Sequence, residues 1–137
     1  MGYRGEDREA ASLSILGGSD ATSLPAYASL TRYSDPELVA KNVARALSSG
    51  YRRLKLHEID LDCVRAAREA AGDDIEIMLD VNCPWSVREA IDMTSKLRSF
   101  NLRWLEEPVW PPENHSGLAL VRQGEAFQSP QARMHRR

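Results

Sequence analysis

The middle of the chain alternates between short apolar segments and longer segments with a helical apolar period. Apolar residues recur every three or four positions in residues 34–50, 60–72 and 86–100, which predicts three helices. Residues 113–125 could form a fourth. Strands are predicted at residues 24–30, 51–59, 75–81 and 102–108. Such alternation of strand and helix predicts an α/β fold with a parallel sheet.

The helix boundaries have signals of their own. Asp35 or Ser34 is placed to cap the first predicted helix, and Pro36 suits its first turn. Ser86 and Glu89 form a capping-box pattern at the start of the third predicted helix. Capping signals and apolar period therefore predict the same helices.

Ionisable and amide side chains occur where the predicted strands end. Positions 57, 80 and 106 are separated by 23 and 26 residues, about the length of one βα unit. Side chains two apart on a strand share a face, so Lys55 and His57 form one pair and Asp80 and Asn82 another. Glu106 ends the fourth strand. Because ligands bind at the carboxyl ends of parallel strands, these five side chains are the candidate site, and its carboxylates and amide suit Mg²⁺.

Length, charge and cysteine content narrow the class of protein. The 137 residues suffice for one modest domain, and a net charge of −2 gives no reason to expect binding to nucleic acid or an anionic membrane. No apolar run approaches the ~20 residues of a membrane span, and the first residues lack the apolar core of a secretory signal. Cys63 and Cys83 fit no metal-binding spacing, so we expect reduced thiols and a cytoplasmic protein.

Three segments, in this order and spacing, resemble the barrel domain of the enolase superfamily, especially the mandelate racemase and muconate lactonizing enzyme group. They are GYRRLKLHEID at 50–60, IMLDVNCPWS at 77–86 and LRWLEEPVWPPEN at 102–114. The resemblance implies a partial TIM-type (βα) barrel of about four βα units. It implies a capping-domain remnant or linker at 1–23, a half-barrel at 24–122 and an aberrant, disordered tail at 123–137.

The resemblance also implies roles for the candidate residues. Asp80 matches the first metal carboxylate and Glu106 the second, while Asn82 matches a position that lines the site near substrate or metal. Lys55 matches the first lysine of a K-x-K motif. His57 stands where many members have the second lysine, the usual base, so either Lys55 or His57 is the candidate base. Clustered positive charge is expected to lower the pKa of that base.

The implied chemistry is Mg²⁺-dependent abstraction of a proton alpha to a carboxylate, with stabilisation of the enediolate, as in an acid-sugar dehydratase or racemase. The implied substrate is a small carboxylate or sugar acid.

However, a full barrel needs ~200 residues or more. A third metal carboxylate is expected about one βα unit after Glu106, and the nearest acid, Glu125, follows by only 19 residues. We therefore expect weak or no Mg²⁺ binding, an inactive fragment, and self-association through unpaired barrel edges.

Two alternatives remain open from the sequence. IMLDVNCPW also resembles the strand of a signalling receiver domain that carries a phospho-accepting aspartate, which would be Asp80. Receivers also need an acidic pair after their first strand, and none follows residues 24–30. The other alternative is a half-barrel that binds or assembles without catalysis.

Overall fold

A computed structural model describes residues 24–124, in which strands and helices alternate from end to end. The elements are β1 Ala28–Ser29, α1 Pro36–Ser48, β2 Arg53–Leu56, α2 Leu61–Ala71, β3 Glu76–Asp80, α3 Val87–Leu97, a 3₁₀ turn Arg98–Phe100, β4 Leu105–Glu106 and α4 His115–Gly124. Every predicted strand and helix is present. The strands are shorter than the apolar segments because flanking residues bond outside the regular ladder, as when Leu30 N donates to Lys55 O over 2.8 Å.

The four strands form one parallel sheet in the order β1-β2-β3-β4. Each strand therefore pairs with its neighbour in sequence, as in a (βα) barrel, and the fold is an α/β partial barrel of four βα units. A receiver domain has the doubly wound order 2-1-3-4-5. The sequential order is inconsistent with the receiver alternative, and with phosphorylation of Asp80 on that ground.

The hydrophobic core lies between the sheet and its helices. Alternate residues of β2 and β3 face the helices, and the others face the inside of the partial barrel. Burying the helix-facing set removes apolar surface from water, which is the main term favouring the fold. The buried set includes Leu54, Leu56, Ile77 and Leu79 from the strands, with Val43, Val64, Ala67 and Leu97 from the helices.

The capping signals read from the sequence are found in the structure. Asp35, not Ser34, caps α1, accepting from Glu37 N and Leu38 N at 2.8 and 3.0 Å. Ser86 and Glu89 form the full capping box of α3. These bonds satisfy amide groups that a helix leaves unpaired at its start, and so fix where α1 and α3 begin after the strand-end loops.

Arginines hold the amino-terminal edge of the sheet. The guanidinium of Arg68 is buried and donates to four backbone carbonyls, Gly72 O, Ile75 O, Phe100 O and Asn101 O, over 2.8 to 3.1 Å. These acceptors lie in the segments that lead into β3 and β4. Across the same edge, Glu76 forms ion pairs with Arg53 and Arg103. This end of the sheet is therefore cross-linked by side chains.

Several expectations fall at the ends of the chain. The proposed remnant at 1–23, the candidate acid Glu125 and the tail beyond 124 lie outside the described residues. The helix α4 extends to residue 124, and the half-barrel boundary at 122 stays a prediction. Within residues 24–124, no helix is both long and apolar enough to span a bilayer. Self-association through β1 and β4, the edge strands of the described sheet, stays a prediction.

Candidate active site

Lys55, Asp80 and Glu106 meet at the carboxyl end of the sheet. Lys55 lies in β2, Asp80 ends β3 and Glu106 ends β4. Asp80 and Glu106 are register partners, so their side chains leave the same face next to each other. Lys55 Nζ lies 3.1 Å from Asp80 Oδ2 and 3.6 Å from Glu106 Oε2. The structure thus brings these three predicted site residues together.

Asp80 is at the centre of this cluster. Its side chain is only 8% exposed, and both carboxylate oxygens have partners. Oδ1 accepts from Asn82 N and Asn82 Nδ2 at 3.2 and 3.0 Å. Oδ2 accepts from Lys55 and lies 3.4 Å from His57 Nε2. Lys55, His57 and Asn82 therefore each approach Asp80.

Asn82 reaches this cluster differently from what strand alternation predicts. β3 ends at Asp80, and Asn82 has left-handed backbone with φ 57°. The amide side chain is therefore directed back to Asp80 by a turn and not by the strand. Asparagine is one of the few residues that adopt this backbone readily. Its side-chain nitrogen orients Asp80, and its role toward a substrate stays a prediction.

His57 is held by one ring nitrogen. Nδ1 lies 2.6 Å from Leu30 O. A carbonyl oxygen only accepts, so Nδ1 is the protonated nitrogen and donates this bond. Nε2 is then the atom that His57 presents to Asp80. The backbone of the segment after β1 thus fixes both the orientation and the tautomer of the imidazole.

The pKa of Lys55 is raised from its ordinary value of 10.5. The main cause is its hydrogen bond to Asp80, and the charges of Asp80 and Glu106 add to it, outweighing the lowering by burial. With these neighbours alone, clustered positive charge does not lower the pKa of Lys55, and the expectation for a metal-bound site stays a prediction. The physical reason is that its closest charged neighbours are carboxylates.

The pair Asp80 and Glu106 fits two ligands of a divalent metal ion. One cation, Lys55 Nζ, already lies within 3.6 Å of an oxygen from each, so the pair stabilises positive charge. Carboxylate oxygens are the ligands Mg²⁺ prefers. Trp104 Nε1 donates to Glu106 Oε2 over 3.3 Å and orients it. Among residues 24–124, no group of three or more His, Cys, Asp or Glu could hold a metal ion.

Two residues that the sequence reasoning missed hold the ends of the strands around this site. Arg32 donates from Nε to His57 O over 2.6 Å and from Nη2 to Val81 O over 3.1 Å. Glu58, which is 1% exposed, accepts from the backbone amides of residues 33 and 34 at 2.7 and 3.1 Å. A signal was available for both: Arg32 follows the first strand, and Glu58 stands at an alternation position that points to the helices.

A polar concavity adjoins the cluster at the ends of the first three strands. Its volume is about 480 Å³, and its lining side chains are Ser29, Thr31, Arg32, His57 and Asn82. It is open to solvent and does not include Lys55, Asp80 or Glu106. His57 and Asn82 line the concavity and also contact Asp80, so the concavity lies directly beside the carboxylate pair.

The sequence and the fold of this chain are matched in known proteins. The sequence profile of the family described as enolase C-terminal domain-like matches residues 38–132, and this chain belongs to that family. The family match and the similar fold assign the chain to the mandelate racemase and muconate lactonizing enzyme group of the enolase superfamily, as the sequence predicted.

Individual relatives agree with this assignment. The chain is 34% identical over 116 residues to 3,6-anhydro-α-L-galactonate cycloisomerase of Streptomyces coelicolor, covering 80% of this chain and 32% of the relative. It is 34% identical over 123 residues to D-galactarolactone cycloisomerase of Agrobacterium fabrum, covering 81% and 32%. The crystal structure of 3,6-anhydro-D-galactonate cycloisomerase from Zobellia galactanivorans superimposes with a TM-score of 0.73 at 31% identity, covering 82% and 33%. The chain thus spans about a third of these relatives.

Proposed function

We propose that this chain supplies the first half of a Mg²⁺-dependent site that abstracts a proton alpha to a carboxylate, with stabilisation of the enediolate that results. The type is that of an acid-sugar dehydratase or racemase, and the substrate is a small carboxylate or sugar acid. Curated relatives include cycloisomerases and an L-talarate/galactarate dehydratase, which supports this general chemistry. We expect the chain to be inactive alone, and a non-catalytic half-barrel stays the alternative.

The observation that supports the proposal most is the side-by-side placement of Asp80 and Glu106 with one cation between them. A proton alpha to a carboxylate is weakly acidic, because its removal leaves a second negative charge on the substrate. Bound Mg²⁺ would stabilise that developing charge. In this proposal Asp80 and Glu106 hold the ion, and Asn82 orients Asp80 and contacts the substrate.

Lys55 and His57 take the acid–base roles in the proposal. Lys55 Nζ is held by two carboxylates, so it is suited to remain protonated and to stabilise negative charge on the substrate. His57 Nδ1 is committed to Leu30 O, so Nε2 is the atom that can accept a proton. A proton accepted at Nε2 would lie close to Asp80 Oδ2, whose charge stabilises the imidazolium. His57 is therefore the proposed base.

A Mg²⁺ titration of the purified chain tests the metal part of the proposal. Amide ¹H–¹⁵N chemical shifts of residues near 80 and 106 should respond weakly but with saturation to added Mg²⁺. Asp80→Asn and Glu106→Gln should each weaken the apparent affinity by at least about tenfold, because each removes a charged ligand. Glu107→Gln is the matched control, since it removes the neighbouring glutamate's charge and should leave the response unchanged.

Equal responses in the wild type and all three variants would remove the metal hypothesis. A loss with Glu107→Gln as large as that with Glu106→Gln would show a general electrostatic effect at the strand end and would count against Glu106 as a specific ligand.

A further inference from the structure

Arg32 is fixed in place at the border of the concavity. Its Nε donates to His57 O and its Nη2 to Val81 O, at 2.6 and 3.1 Å. These carbonyls belong to the residues that immediately follow β2 and β3, so the arginine bridges two adjacent strand ends. An exposed arginine normally loses side-chain entropy when it binds a ligand. Here the fold has already restricted the side chain, and the plane of the guanidinium is set before any ligand arrives.

The charge of Arg32 is not neutralised by these contacts. Both acceptors are uncharged carbonyls, and among residues 24–124 no carboxylate forms an ion pair with this side chain. Three other arginines differ, since Arg53 and Arg103 are paired with Glu76, and Arg65 with Asp62, whereas the buried Arg68 also donates to carbonyls. Arg32 is therefore an oriented cation whose remaining N–H groups are available at the rim of a cavity.

The concavity beside Arg32 is lined by groups that can donate hydrogen bonds. They are the hydroxyls of Ser29 and Thr31 and the amide of Asn82, while the single N–H of the neutral His57 ring is already donated to Leu30 O. No acidic side chain among residues 24–124 lines it, whereas the adjoining cluster contains Asp80 and Glu106. Its volume of about 480 Å³ is that of a small-molecule site. The carboxylate cluster therefore favours a cation, and the neighbouring concavity favours an anion.

We propose that Arg32, with Ser29 and Thr31, forms a subsite for a carboxylate group of the ligand, separate from the carboxylate pair that would hold the metal. The planar guanidinium matches a carboxylate better than an ammonium group would. The inference rests on the proposed function in one respect: a substrate whose reacting carboxylate lies at Asp80 and Glu106 would place a second carboxylate here. The substrate class is then a dicarboxylic acid.

The subsite can be tested without metal on the full chain. Uniformly ¹⁵N-labelled protein in EDTA at constant ionic strength is titrated with succinate, and the Arg32 Nε–H and the amides of residues 29–32 are followed. We expect saturating shifts in the wild type. Arg32→Gln should weaken succinate binding by about tenfold or more, because a charged donor is lost, and Arg32→Lys should retain part of it. Arg45→Gln, an exposed α1 arginine outside the concavity, is the control and should bind as the wild type does.

Two results would overturn the proposal. One is the absence of saturable shifts in a wild type whose spectrum is well dispersed, which would leave Arg32 as a structural bridge only. The other is equal succinate affinity in the wild type, Arg32→Gln and Arg32→Lys. If Arg32→Gln fails to fold, the comparison of Arg32→Lys with Arg45→Gln decides the matter. A parallel titration with inorganic phosphate identifies the anion, and tighter saturation by phosphate than by succinate would overturn the assignment to a carboxylate.

The same titration in Asp80→Asn separates this inference from the proposed function. Succinate shifts that persist in Asp80→Asn, together with no Mg²⁺ response in the wild type, would support the subsite and reject the metal site. A Mg²⁺ response that depends on Asp80, with no succinate response, would support the proposed function and reject the subsite.

Discussion

The edge of the sheet at the amino-terminal ends of the strands and the edge at their carboxyl ends carry similar charged side chains, which serve different purposes. At the amino-terminal edge, Arg68 donates to four carbonyls and Glu76 pairs with two arginines. At the carboxyl edge, Lys55 lies between Asp80 and Glu106, and His57 and Asn82 approach the same aspartate. The first edge uses charge to satisfy backbone groups. The carboxyl edge places two negatively charged side chains, Asp80 and Glu106, next to each other.

The amino-terminal edge therefore contributes mainly to stability, and the carboxyl edge carries the groups of the candidate active site. Buried carbonyls bound by Arg68 have their hydrogen bonds met, and removal of the donor would leave them unsatisfied. Two neighbouring carboxylates repel each other, and they are stabilised only by a cation. Of the five described non-glycine residues with left-handed backbone, four also lie at the carboxyl edge, namely Ser34, Asn82, Cys83 and Glu107. In parallel α/β barrels the carboxyl edge is the usual location of the active site.

The largest effect should come from the amino-terminal edge. Arg68→Met keeps the apolar stem and removes the four hydrogen bonds, so we expect the free energy of unfolding to fall by about 3 kcal/mol or more. Urea denaturation followed by circular dichroism measures it. Arg65→Met is the matched control: this exposed residue of the same helix pairs only with Asp62, and its loss should cost about 0.5 kcal/mol or less. Equal losses would show that the Arg68 bonds contribute nothing specific.

Glu58 should have an intermediate effect at the carboxyl edge. Glu58→Gln keeps the shape but leaves one amide of the β1–α1 loop facing an NH₂ group, because a glutamine has a single acceptor oxygen. We expect a loss of about 2 kcal/mol in the free energy of unfolding and faster hydrogen exchange at residues 33 and 34. The exposed Glu37→Gln, close by in α1, should change both by little. An unchanged exchange rate in Glu58→Gln would argue against the loop being held by this carboxylate.

Lys55 should have the smallest effect, visible only at high pH. Its pKa in the folded protein is above the ordinary 10.5, so its ionic contribution is complete below pH 10.5 and is lost as the pH rises through the folded-state pKa. In EDTA, the urea midpoint of the wild type should therefore fall more steeply above pH 10.5 than that of Asp80→Asn. Tyrosine ionisation affects both proteins alike. Parallel pH curves for the two proteins would contradict the pairing.

Much of the fold could be predicted from local sequence signals. The period of apolar residues and the caps at Asp35 and Ser86 are local, and they predicted each helix within a few residues. Strand order was also accessible, because βα alternation favours pairing of consecutive strands. The lengths of the strands were not, since Leu24 to Tyr27 are as apolar as a strand but lie outside the regular ladder.

The site was predictable only in part. Alternation placed Lys55, Asp80 and Glu106 on one face, and the structure brings them together. The contact of Asn82 with Asp80 depends on a left-handed turn after β3, which alternation does not describe. The bonds from Arg32 to the carbonyls of residues 57 and 81 span 25 and 49 positions. The position of Arg32 after the first strand was visible in the sequence, but a pattern read within a short window does not show which distant carbonyls the side chain binds.

The sequential order of the strands also bears on how the chain folds. Register partners are separated by 26, 23 and 26 positions in the three strand pairs, as in Ala28↔Leu54, Arg53↔Glu76 and Asp80↔Glu106. No strand of the described sheet must await a partner from a remote part of the chain, so the loop-closure entropy is nearly the same at each step. The sheet can therefore grow one unit at a time in the direction of synthesis, and the contact order remains low for a parallel topology.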